Sequence, residues 1–123
     1  MQPEIKRPKR EFDTAERCFI SEVANDAGDE QVSISRARVV PGGTTEWHFL
    51  IDTNERFIIV QGTGLMEMRG TEPAVVSVGD VVRIPANVPQ RITNTGDADL
   101  IFYCVCSPPF RSEAYRSGES GSE

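Results

Sequence analysis

PGGTTEWHFLIDTNERFIIVQG, residues 41–62, contains the only histidine in the chain, His48. Seven residues later stands an acid, Glu55, and seven beyond that a glycine, Gly62. Any chemistry that needs an imidazole is confined to this stretch. Residues 44–50 and 56–61 are rich in β-branched and aromatic side chains, and Asp52-Thr53-Asn54 lies between them as a turn cluster, which predicts two strands joined by a short return. Side chains alternate along a strand, so His48 and Leu50 share a face. An antiparallel return then brings the Glu55 carboxylate beside the imidazole, on the neighbouring strand. Trp47 and Phe49 fall on the opposite face and read as packing residues.

The same pattern extends outward from this stretch. Upstream, CFISEV at 18–23 is β-rich, a polar turn follows at 25–29, and residues 32–36 alternate apolar with polar. Downstream, Gly62-Thr63-Gly64 turns the chain, residues 65–68 and 74–78 read as strands, and Gly79-Asp80 makes a corner before 81–84. Prolines at 85 and 89 stop that strand because they cannot donate to a ladder. Residues 90–93 and 100–106 then flank a turn at 95–98 as a last hairpin. Short strands separated by Gly-rich turns about every eight to twelve residues predict an all-β sandwich or barrel. The expected organisation is an arm or edge strand at 1–15, the barrel at 16–110, and a tail at 111–123. Phe110, at the barrel's end, and Tyr115, in the tail, are expected to pack on the barrel, while the Gly/Ser/Glu-rich end is mobile.

A chain of 123 residues is the size of one domain, and 38% hydrophobic with 26% charged residues is globular composition. Neither a basic-then-apolar leader nor a long apolar run is present, so a cytoplasmic protein with no membrane partner is expected. Thirteen basic against nineteen acidic residues give a net charge of −6, which argues against nucleic acid as a partner. The local basic run Lys6, Arg7, Lys9 and Arg10 reads as a solvated arm, since no aromatic residue interleaves it. The three cysteines form no disulfide framework and no zinc pattern; Cys104 and Cys106 read as small core-filling residues. No phosphate-cradling glycine loop opens a helix.

A second spaced stretch, GDVVRIPANVPQRITN at 79–94, partners the first. Together they resemble the paired motifs of the cupin superfamily, G-x5-H-x-H-x4-E-x6-G and G-x5-P-x-G-x2-H-x3-N. Gly42, His48, Glu55 and Gly62 fall on the first pattern, and Gly79, Pro85 and Asn94 on the second. The resemblance implies a double-stranded β-helix (jelly-roll) barrel, a homodimer joined through N-terminal strands such as 18–23, and a pocket that takes a small molecule. It also implies a divalent metal (Mn, Fe, Ni or Zn) on three histidines and one glutamate. Here two of those histidine positions are Leu50 and Gln90, and the glycine before the second is Asn87. His48, Glu55 and the amide oxygen of Gln90 are the remaining metal ligands, a set poorer in the imidazole donors that transition metals prefer. Glu46 shares parity with His48 and can make the set richer in oxygen, for a harder ion such as Mn or Mg.

Three functions are therefore open. The first is a metal-dependent oxygenase or isomerase on His48, Glu55 and Gln90. The second is a metal-free isomerase or lyase in which His48 and Glu55 form a proton-transfer pair, as in sugar epimerases of the superfamily. The third is a binding module whose pocket is lined by Leu50 and Gln90 without catalysis. Fold alone does not choose among them.

Overall fold

Inward and outward side chains alternate along β5 (Asn54–Gln61), where Glu55, Phe57 and Ile59 are buried while Ile58 and Val60 stay exposed. Along β10 (Leu100–Ser107), Leu100, Phe102, Cys104 and Cys106 point inward in the same way. This period of two is what a sheet with one buried face requires. The computed structural model describes residues 1–14 and 17–118. Its other strands are β1 (Phe12–Asp13), β2 (Phe19–Ala24), β3 (Ser33–Val39), β4 (His48–Leu50), β6 (Gly64–Met68), β7 (Ala74–Val76), β8 (Val81–Ile84), β9 (Gln90–Asn94) and β11 (Tyr115–Ser117).

The strands form two antiparallel sheets, one ordered β1-β2-β3-β10-β5-β8 and the other β11-β4-β9-β6-β7. This is the all-β, double-stranded β-helix barrel expected. Between the sheets lies a core of Val39, Phe57, Ile59, Met66, Ile92, Leu100 and Phe102, with the Phe57 and Phe102 ring centroids 4.4 Å apart. Gly62 turns β5 into β6 with φ +87°, and a Cβ there would stand 2.9 Å from the Asp99 carbonyl, so only glycine fits without displacement. Asn94 fastens the matching corner: its amide donates to the Val39 and Ala98 carbonyls and its oxygen accepts from Gly96 N.

Three local expectations change. The strand expected over 44–50 narrows to His48–Leu50, because Thr44 makes a single bridge to Thr93 and Thr45 spends its backbone and hydroxyl on Ile92. His48 and Glu55 are not on adjacent antiparallel strands. The return at residues 51–53 carries the chain from one sheet to the other, and Glu55 pairs with Ile84 and Cys106 instead. Asp52 at φ +52° and Asn87 at φ +69° make that crossover tight, with Asn87 donating its N–H to Leu50 and accepting from Asp52 N. Asparagine tolerates the left-handed region where the motif has glycine. Finally, the chain after Phe110 forms a 3-10 turn at Ser112–Ala114 and then β11, which pairs with β4. The expected mobile end at 119–123 lies outside the described residues.

Lys6 of the basic run pairs with Glu4 and Asp26. No described helix is long and apolar enough to cross a membrane.

Candidate functional site

Register across the larger sheet lays its inward residues out in rows. Ser33, Cys106, Glu55 and Ile84 are successive cross-strand partners, and so are Glu22, Ser35, Cys104 and Phe57. The next row, Ile20, Ala37, Phe102 and Ile59, is apolar. The inner face therefore grades from hydrocarbon to polar groups over two rows. The polar end opens onto a cavity of about 320 Å³, which His48 and Leu50 close from the facing sheet. Both chain ends help wall it, through Phe12 and Thr14 on one side and Phe110, Ser112 and Tyr115 on the other.

Gln90 joins the two sheets. It is the cross-strand partner of His48, is 1% exposed, and its amide nitrogen lies 2.9 Å from His48 Nε2 and 3.3 Å from Glu55 Oε1. His48 Nδ1 stands 2.7 Å from the Glu46 carbonyl. A carbonyl only accepts, so Nδ1 carries the proton; the amide N–H then donates to a lone pair on Nε2, and the ring is the neutral tautomer. The Tyr115 ring stacks on the imidazole with centroids 5.0 Å apart and planes 17° off parallel, and its hydroxyl donates to Glu46. Bonds from Ser117 and Tyr115 hold the Glu46 carboxyl below its ordinary value.

His48, Glu55 and Leu50 all line the cavity, whereas Gln90 sits immediately behind the wall and bridges the first two. The Gln90 Oε1 atom is buried with no hydrogen-bond partner among the described residues. Glu46 does not line the cavity; its carboxylate is taken up by β11. Arg91 points to the outer face, where it bonds Glu67 and lies 4.6 Å over the Trp47 ring.

One wall group escapes the sequence reading, and for a second that reading prefers a core place to a thiol facing the pocket. Glu22 lines the cavity beside Ile20, and the alternation of those two residues in FISEVA is the signal that points to it. Burial pushes its carboxyl up, against an opposing pull from Lys9. Cys106, read as core, also faces the cavity and donates its thiol to Glu55 Oε2 at 3.8 Å. Burial first, then the Glu55 charge, pushes that thiol far above its ordinary range, so it stays protonated rather than acting as a thiolate nucleophile.

The donor set does not fit a tightly held transition metal. A metal on His48 needs the Nε2 lone pair, which the Gln90 amide already engages, and Glu55 accepts from Gln90 and Cys106. Among the described residues no group of three or more His, Cys, Asp or Glu side chains converges as a metal site.

A cupin domain model matches residues 35–106. Among solved structures, a Tyr-to-Phe variant of Streptomyces PAC13 with uridine is 15% identical over 99% of this chain and 97% of that chain, at TM-score 0.78. Pac13 is described as a nucleoside dehydratase. KdgF from Halomonas sp. is 18% identical over 85% and 91%, at TM-score 0.72. An RmlC-like cupin from Methanocaldococcus jannaschii is 24% identical over 89% and 94%, at TM-score 0.69. At these identities the likeness is one of fold. No curated protein matches the sequence. With the family model spanning more than half of the chain, and its two motifs lying on facing sheets around one cavity, the protein belongs to the cupin domain family.

Proposed function

We propose that this cupin is a small-molecule enzyme performing metal-independent proton transfer, of lyase or isomerase type, on His48 and Glu55. One observation carries the reading: a neutral imidazole and a carboxylate, both in the cavity wall, share a single buried amide. The Glu46 carbonyl fixes the tautomer, leaving Nε2 as the basic atom. Proton uptake at Nε2 requires the Gln90 amide to turn its oxygen toward the ring; the imidazolium then gains both that acceptor and a carboxylate one amide away, in surroundings where opposite charges attract strongly. Cavity size supports a small ligand, at the lower end of small-molecule sites. That a cupin of similar fold is a nucleoside dehydratase makes nucleosides, with sugars and keto acids, the first substrates to screen. The homodimer expected through the N-terminal strands stays part of this proposal, supported by β1 lying at the edge of its sheet.

The test is turnover of that panel by chelator-treated protein and by His48→Gln and Glu55→Gln. Metal-independent turnover that falls roughly 100-fold or more in both variants is expected from the usual contribution of general acid–base groups. Activity that disappears with a stoichiometric metal overturns the reading in favour of the metal-dependent one. Both ring nitrogens of His48 are already bonded, which favours one alternative, a binding module. Tight ligand binding without turnover would establish it.

A further inference from the structure

Followed across the larger sheet, the cavity wall has two ends of different chemistry. The cross-strand row Phe12, Ile20, Ala37 and Phe102 is hydrocarbon throughout, and all four side chains line the cavity. The row of Ser33, Cys106 and Glu55 stands at the other end, where Gln90 ties Glu55 to His48. Four residues of β3, from Ser33 to Ala37, separate the two rows, roughly 13 Å at the rise of a strand. On the facing sheet the cavity is lined at the hydrocarbon end by Ile92, two residues beyond Gln90 on β9. The next inward residue, Asn94, already reaches Val39 beyond Ala37, which fixes Ile92 at that end.

This end gives a ligand almost nothing to hydrogen-bond. β2, β3 and β10 are each paired on both sides, and so is β9, so their backbone groups are taken up in the ladders. The Thr45 hydroxyl accepts from Ile92 N and donates to the Ile92 carbonyl. Phe12 comes from the N-terminal arm, which is fastened beside it by Glu11 on Arg38.

We propose that the substrate is an amphiphile, a compact aryl or alicyclic body seated on the hydrocarbon row and bearing a hydroxyl or carbonyl group that reaches His48 and Glu55. Each methylene buried against the row adds affinity, and each polar atom left there without a partner loses it. A nucleoside or free sugar carries donors and acceptors at every end and would give up their water for nothing. This deepens the proton-transfer reading by naming its substrate class, and among the compounds that reading brings forward it selects those with a hydrocarbon body. It rests on that reading only for the cavity being the ligand site, and neither on the charge of the wall nor on which group moves the proton.

Phenylalkanols test it, from benzyl alcohol through 2-phenylethanol to 3-phenylpropan-1-ol, with 3-(4-hydroxyphenyl)propan-1-ol, uridine and glucose as polar counterparts. Affinity is measured by calorimetry on the intact protein and on Phe12→Ala, Ile20→Ser and His48→Gln. It is expected to rise about fourfold per methylene, the worth of a buried methylene group. The ring hydroxyl is expected to lower it roughly tenfold, as an unpaired buried polar group does, and uridine and glucose not to bind. Phe12→Ala weakens 3-phenylpropan-1-ol, and Ile20→Ser relieves the penalty of the ring hydroxyl, which a merely structural defect would not do. In His48→Gln turnover is lost while the dependence on the hydrocarbon body persists, which separates this inference from the proton-transfer reading. Uridine or glucose binding as tightly as 3-phenylpropan-1-ol, affinity indifferent to methylenes and ring hydroxyl, or no phenylalkanol binding at all overturns the assignment, even if His48-dependent turnover is found.

Discussion

His48 and Gln90 are direct cross-strand partners on β4 and β9, and the Gln90 amide nitrogen lies 2.9 Å from His48 Nε2. Everything the imidazole can do in this cavity is conditioned by that contact. The amide supplies hydrogen to Nε2 and, with its second N–H, to Glu55 on the opposite sheet.

Replacing Gln90 with leucine removes a donor from two buried acceptors at once. Leaving a buried polar group unsatisfied costs about 1–3 kcal/mol, so Gln90→Leu is expected to unfold at distinctly lower urea concentration than the parent with the slope of the transition unchanged. A stability within experimental error of the parent would show that the bridge is not maintained in solution.

Restoring the two imidazoles that the family pattern has at positions 50 and 90 supplies the missing donors. The double variant Leu50→His with Gln90→His is expected to bind one equivalent of Zn or Ni by elemental analysis, while the parent prepared alongside does not. Equal metal content in both would contradict the argument that the Gln90 amide occupies the metal's place.

Cys106 is expected to resist alkylation. Its thiol is shielded by burial and faces the Glu55 carboxylate, both of which disfavour thiolate. Native protein treated with iodoacetamide at about pH 8, near the ordinary thiol pKa, should show Cys106 unmodified by mass spectrometry and modified once unfolded. Rapid labelling of the native protein would indicate a thiolate there.

The Glu46 carboxyl is held below its ordinary value of 4.5, first by Ser117 and then by Tyr115, so the folded state binds its proton less readily than the unfolded chain. The stabilisation from this group is therefore complete above about pH 4.5 and is lost as pH falls through the lower folded value. Urea midpoints of the parent and of Glu46→Gln should differ most near neutral pH and converge on acidification. A gap that widens in acid would reverse the assigned sign.

The barrel was legible because the strands carry period two and the turns carry Gly, Pro and Asn. His48 and Leu50 sharing the cavity face followed from parity alone. The partnership of β4 with β9 and of β5 with β10 did not, because a three-residue return closes a hairpin or crosses between sheets equally well. Its choice here depends on the left-handed Asp52 and Asn87 and on partners far along the chain. Gln90 was read as inward, and it is, but parity does not tell a wall residue from one that sits behind the wall. Glu22 is hidden from parity because an acid in a β-rich segment reads as solvent-facing unless its neighbour Ile20 is known to be inside.

Because the imidazole is carried by one sheet and the carboxylate by the other, with one amide between them, the distance separating these two groups is set by how thickly the interior is filled. A core methylene gained or lost at Ile59 or Met66, which lie in the core and outside the cavity lining, is thus expressed as acid–base geometry, so variants far from any ligand would alter reactivity before they noticeably weaken the fold.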